Sequence, residues 1–176
     1  LVEDRDRETD SKSTNFGLTT KYDSADDQWR HRLSVSSAEF DNSNFSDGRN
    51  DGTTESSKVR YQYVGSRLWD KFGQQLSVMV ESDEEEYRQS GGYAFGSDAD
   101  STIKRKTDSW AFEYRADPLE SLTLGVSARY DKNDRFDDAE TYRLEALYRI
   151  DDQTKMRTTW SSSIKNPTFT ELYGIY

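Results

Sequence analysis

The stretch "LTLGVSARY", Leu122–Tyr130, decides the fold. Leu122, Leu124, Val126, Ala128 and Tyr130 fall on one side of an extended chain, and Thr123, Gly125, Ser127 and Arg129 on the other. Side chains alternate across a strand, so a period of two with one apolar and one polar face reads as β-structure. The same alternation recurs downstream. "TYRLEALYRI" sets Tyr142, Leu144, Ala146, Tyr148 and Ile150 against Arg143, Glu145, Leu147 and Arg149, and "TKMRTTWS" sets Met156, Thr158 and Trp160 against Lys155, Arg157 and Thr159. Upstream it gives Trp110, Phe112 and Tyr114; Leu76, Val78 and Val80; Val59, Tyr61 and Tyr63; Trp29, His31, Leu33 and Val35; and Phe16, Leu18, Thr20 and Tyr22. The expectation is an all-β chain, an antiparallel meander of about eight strands.

The connections alternate in length. "DSADDQ", "DKFG", "DPLES" and "DDQ" are compact turn chemistries. Between them lie three long polar stretches, starting near Asp41, Ser82 and Asp131, which read as loops, the acidic run Asp83–Glu86 reading as a strand extension above the membrane. Short turns at one end of a meander and long loops at the other is the plan of an outer-membrane β-barrel.

Composition narrows the alternatives. Only 32% of the 176 residues are apolar and 33% are charged, which drifts toward disorder, but 13% are aromatic and Pro occurs twice. A polar chain rich in Tyr, Trp, Thr and Ser instead fits strands with one wet face. There is no Cys, hence no disulfide framework and no thiolate metal site, and a single His excludes a His-rich one. A net charge of −10 with dispersed Lys and Arg argues against nucleic acid. No apolar run approaches the length of a transmembrane helix. No Gly-rich phosphate loop, nucleophile motif or metal-ligand spacing is present, so no catalytic residue is assigned and an enzyme is not expected.

A soluble antiparallel barrel or sandwich with a binding groove also has alternating strands. The polar face separates the two readings. Arg60, Gln62, Glu113, Arg129, Arg143, Glu145 and Arg157 share it, and such side chains do not pack into a small dry interior but hydrate readily in a wide lumen. Aromatics near the strand ends, Tyr22, Trp29, Trp69, Tyr130 and Trp160, are placed as an interfacial girdle.

Strand parity puts both ends of the meander on the long-loop, extracellular side. The expectation is that residues 1–176 are a segment of a larger transmembrane β-barrel of about twenty-two strands, with open edges that invite self-association. The competing reading, "ELYGIY" as the closing strand of a complete barrel, is too short to span and carries Pro167 at its head.

The last 55 or so residues carry a resemblance. Arg129-x-Asp131 after an alternating strand, Phe136 in the loop, Tyr148 before "DDQ", then Lys165-Asn166-Pro167-Thr168 and Glu171-Leu172-Tyr173-Gly174 resemble the barrel of TonB-dependent outer-membrane receptors. Cobalamin receptors are the nearest branch and siderophore receptors the next. Asn166 departs from the family's Ala, Ile164 from an aromatic, and Asp137 from a Gly after the Phe. The resemblance implies the outer membrane of a Gram-negative bacterium and TonB-dependent uptake of a scarce nutrient without covalent chemistry. It also implies a plug domain and closing strands outside this segment, the TonB complex acting through that plug, and lipid and lipopolysaccharide around the wall. A structural or adhesive outer-membrane barrel without transport is the alternative from another class.

Two loop features suggest ligands. Tyr93 and Phe95 in "GGYAFG" are loop aromatics suited to a bulky hydrophobic or corrinoid ligand, or to packing against a neighbouring loop. Asp41, Asp47 and Asp51 in "DNSNFSDGRNDG" offer oxygen ligands to calcium, although their spacing is not that of an EF-hand and a solvated acidic loop has the same composition. No other cofactor is implied.

Overall fold

The computed structural model describes residues 6–91 and 100–169. Eight strands form one sheet: β1 (Arg7–Asp23), β2 (Trp29–Ser46), β3 (Arg49–Trp69), β4 (Gln74–Ser90), β5 (Asp100–Leu119), β6 (Leu122–Asn133), β7 (Ala139–Arg149) and β8 (Lys155–Ser161). Each strand pairs antiparallel with its sequence neighbours, in the order β1 to β8, and the sheet is open among the described residues. The all-β meander expected from the alternation is therefore the observed architecture. A 3-10 turn, Lys71–Gly73, joins β3 to β4.

The register aligns the apolar rows of successive strands on one face, with Arg67 among them. Trp29, Arg67, Leu76, Tyr114, Val126, Leu144 and Trp160 lie in one continuous cross-strand row. Trp29 begins β2 beside a short turn, whereas Trp160 lies near the far end of β8. The row therefore climbs from one rim of the apolar band to the other as it crosses the sheet. That stagger is what tilted barrel strands require.

Burial inverts the usual order. Leu18 is 60% exposed, Trp110 45% and Trp160 61%, while Glu81 is 4% exposed and Ser109 1%. The apolar face points outward and the polar face inward. In water this arrangement forgoes the hydrophobic contribution to folding; in a bilayer it is the stable one. A soluble domain would bury Trp110 and Trp160, so the soluble reading fails on this face.

The expected long loops are the main correction. The stretch from Asp41 is strand, closed by a hairpin at Asp47-Gly48 with φ of 51° and 72°. Two consecutive positive φ values are those of a type I′ turn, which favours Asp-Gly because it matches the strands' twist. Similarly, β4 runs to Ser90, and only residues 134–138 separate β6 from β7. The barrel wall thus extends past the apolar band as paired ribbons. On the outward face Glu84 pairs across with Lys106, and this charged pair marks where the band has ended, one step beyond Ser82 and Asp108 and two beyond Val80 and Trp110.

Candidate functional site

The inward face encloses a cavity of about 840 Å³ touched by residues of all eight strands, from Lys21 on β1 to Ser161 on β8. Strands at opposite edges of a sheet share a cavity only if the sheet curls, here toward its polar side. Five cations (Lys21, Arg30, Arg32, Arg129, Arg143) line it against three carboxylates (Asp23, Asp27, Glu113). The lumen wall is thus biased positive although the whole chain is acidic.

Above the cavity the inner face carries a ladder of charges. Glu81 accepts from Gln62 Nε2 at 2.6 Å and from Arg129 Nη2 at 3.0 Å. Arg129 also donates to Asp131 at 2.8 Å and to Ser109 Oγ at 2.9 Å. Arg60 grips Asp83 with two bonds at 2.7 and 2.6 Å, a fork geometry of the strong kind. Lys58 reaches Glu85 at 2.8 Å and Asp83 at 3.0 Å. Arg105 closes the ladder on Glu85 from the other side. Among the described residues no buried side-chain polar atom lacks a partner, as a polar face must arrange if it is to be held without an apolar core.

The upper rungs stand beyond the apolar band. Burial alone would raise the Glu85 carboxyl; hydrogen bonds from Lys58 and Arg105 more than offset it and hold it below the ordinary value. Asp83 follows the same balance, with Arg60 and Lys58 as donors. Both carboxylates are charged at neutral pH.

At the rim the chain after β8 turns back over this face. Arg105 Nη1 donates to the Pro167 carbonyl at 2.9 Å, and its guanidinium lies 4.5 Å from the Phe169 ring centre. The buried Tyr87 stacks on Phe169 with centroids 5.4 Å apart. Asn166 Nδ2 reaches Asn133 Oδ1 at 3.4 Å. Arg105 is only 15% exposed, so one cation clasps the ladder, a strand and the returning chain together.

The sequence-selected residues divide accordingly. Arg129, Asp131 and Pro167 belong to this ladder and its rim clasp. Glu171, Leu172, Tyr173 and Gly174 lie outside the described residues, as do Tyr93 and Phe95. Asp41, Asp47 and Asp51 are not brought together. Asp41 sits in β2 opposite Glu55, Asp47 is in the hairpin turn, and Asp51 is on β3. Six extended residues separate the first two by roughly 20 Å. Asp47 Oδ1 accepts from the Asp6 N–H at 3.3 Å. Among the described residues no group of three or more carboxylate or imidazole side chains is placed to hold a metal, and the calcium expectation has no support from this geometry. Sequence reasoning missed Arg105, Tyr87 and Glu81. Their signal was the charge complementarity of Lys58, Glu81–Glu85 and Arg105, which becomes visible only once the register is known.

A family model described as TonB dependent receptor-like, beta-barrel, matches residues 2–176. No curated protein matches the chain.

Proposed function

The chain belongs to the TonB-dependent receptor β-barrel family, and from that premise we propose that it forms wall and rim of an outer-membrane receptor that takes up a scarce nutrient. The observation that carries the reading is the inverted polarity: a lipid-facing apolar band around a hydrated, charged lumen with a positive bias. Such a wall suits a bulky polar ligand and a movable plug seated against it, with transport driven by the TonB system and no bond made or broken in the ligand. Family members are transporters, and the outer membrane of Gram-negative bacteria is where their barrels reside.

For the ligand we propose cobalamin or a ferric siderophore. The segment from Arg129 to Gly174 supports the cobalamin branch first. The cationic excess of the lumen suits either the cobalamin phosphodiester or an anionic ferric chelate. The test is uptake of labelled cyanocobalamin and of ferric siderophores by cells bearing the intact receptor, with and without a working TonB system. TonB-dependent corrinoid uptake is expected. Saturable siderophore uptake without corrinoid uptake would overturn the preference. No TonB-dependent uptake of either class would favour the structural or adhesive barrel.

A further inference from the structure

One cation stands on the wrong face. Arg67 occupies the outward row of β3 between Tyr63, Gly65 and Trp69, opposite Trp29. Its neighbours on that face are lipid-facing, and it is half-buried among them. The guanidinium lies 4.6 Å from the Trp29 ring centre and 5.7 Å from that of Trp69. Its single hydrogen-bond partner among the described residues is neutral: Nη2 donates to Gln28 Oε1 at 2.7 Å. No carboxylate of the described residues lies within 4.0 Å, although Arg60 on the same strand is ion-paired to Glu81 and Asp83. Asp26, in the adjoining turn, accepts from Ser24 Oγ at 2.5 Å and the Gln28 N–H at 3.2 Å and acts on Arg67 only at longer range, beyond ion-pair contact.

An arginine presents five N–H donors in a fixed fork. Here most of that fork is unspent, held by two tryptophans at the short-turn rim of the apolar band. Beside it, His31 is bonded through Nδ1 to Tyr63 Oη at 2.8 Å and stacked on Trp29 at 6.2 Å. The Tyr63 hydroxyl reaches this position across Gly65, where a Cβ would stand 2.7 Å from it. The aromatic group is therefore built around the cation and not scattered. A half-buried cation at the edge of the apolar band, with no carboxylate in ion-pair contact, is held at a cost. It is stabilised when the phosphate of a membrane lipid meets it at the interface, where aromatic belts also sit.

We infer that Arg67, bracketed by Trp29 and Trp69, is a binding site for the phosphodiester of an inner-leaflet glycerophospholipid, the acyl chains of which lie along the apolar face above. The choice of leaflet follows from the short turns, which face the periplasm in such barrels. The inference rests on the membrane reading of the fold. A fork-on-phosphate contact of this kind is charge-assisted, and its loss is expected to weaken lipid retention about tenfold or more.

The experiment is native mass spectrometry of the protein extracted in mild detergent and titrated with phosphatidylglycerol, comparing the wild type with Arg67→Gln and Arg67→Lys. Diacylglycerol and inorganic phosphate serve as separate probes. The wild type is expected to retain one phosphatidylglycerol, Arg67→Gln to lose it and Arg67→Lys to hold it more weakly; diacylglycerol should not bind, and millimolar inorganic phosphate should not compete. Equal retention by Arg67→Gln, in a protein that still folds into vesicles with wild-type heat-resistant gel mobility, overturns the site alone. Displacement by inorganic phosphate makes it a free-anion site and overturns the lipid assignment. Failure of the wild type to enter vesicles at all would instead overturn the membrane reading.

Discussion

Placing an arginine at each of two consecutive residues of β6 tests the orientation of the sheet. Val126 is the midpoint of the apolar span from Leu122 to Tyr130 on its strand. Eight residue steps at 3.3 Å, tilted about 40°, give that span a height of roughly 20 Å, close to the apolar band of such barrels once the terminal rings are added. Val126 is therefore at mid-depth, on the outward face, in the row between Tyr114 and Leu144. Val126→Arg is expected to cost about 2–4 kcal/mol, and Leu122→Arg, at the rim, about 0–1 kcal/mol. Ser127 faces the lumen, opposite Glu113 on one side and Arg143 on the other. An arginine there meets one charge of each sign and water, and Ser127→Arg is expected to change stability by no more than about 0.5 kcal/mol. The assay is urea titration of the protein folded into phosphatidylcholine vesicles, followed by tryptophan fluorescence. Equal costs at Val126 and Ser127, or a larger cost at Ser127, would refute the inverted polarity and with it the bilayer-facing sheet.

Four further outcomes follow from the ladder and its clasp. Arg129→Met removes one of the charged partners of the 4%-exposed Glu81 and should cost about 2 kcal/mol, at the low end for a broken buried pair because Arg60 and Gln62 remain. Glu81→Gln combined with Arg129→Met should cost less than the sum of the two single changes, and strict additivity in urea unfolding would show that the pair is uncoupled. Acidification should weaken the upper rungs: the Glu85 and Asp83 carboxyls are depressed in the folded state, so their contribution is complete above the ordinary carboxylate range near pH 4 and is lost as pH falls below it through the folded values. Measured urea midpoints should drop over that interval, and drop less in Lys58→Met/Arg105→Met; a midpoint flat with pH in the wild type contradicts the assignment. Arg105→Ala should release the returning chain, read as faster amide exchange at Lys165, Asn166, Thr168 and Phe169 with β6 to β8 unchanged, and unaltered exchange would show that the clasp is not what holds it.

The faces of the strands were legible because the alternation is a direct record of lipid on one side and water on the other. Each apolar set read from the sequence, from Phe16–Tyr22 to Met156–Trp160, is a single outward face in the structure. Apart from the run Asp83–Glu86, the strand extensions were not legible, for the same reason. Beyond the band both faces meet water, so the hydropathy period vanishes, and "TTESSKV" and "STIKRKTD" look like loop although both are strand. Asp47-Gly48 was a hairpin signal in plain view, submerged in a polar stretch. At the site, Arg129 and Asp131 were singled out by motif, but Glu81 lies 48 residues earlier, and only the registers of β4 with β5 and of β5 with β6 bring it beside Arg129. Arg67 had no sequence signal at all, since an arginine is unremarkable until its row proves to face lipid.

The alternation also has a consequence for the chain before it is folded. Apolar residues at every second position leave a mean hydropathy of −1.07, and among the described residues no helix is long and apolar enough to cross a membrane. A secretion channel that arrests continuous apolar helices finds nothing here to arrest. The lipid-facing surface does not exist as a surface until strands pair and bring the alternate residues of eight segments side by side. Hydrophobicity in this protein is thus a property of the assembled sheet that the unfolded chain conceals during export, and folding and membrane insertion become the same event.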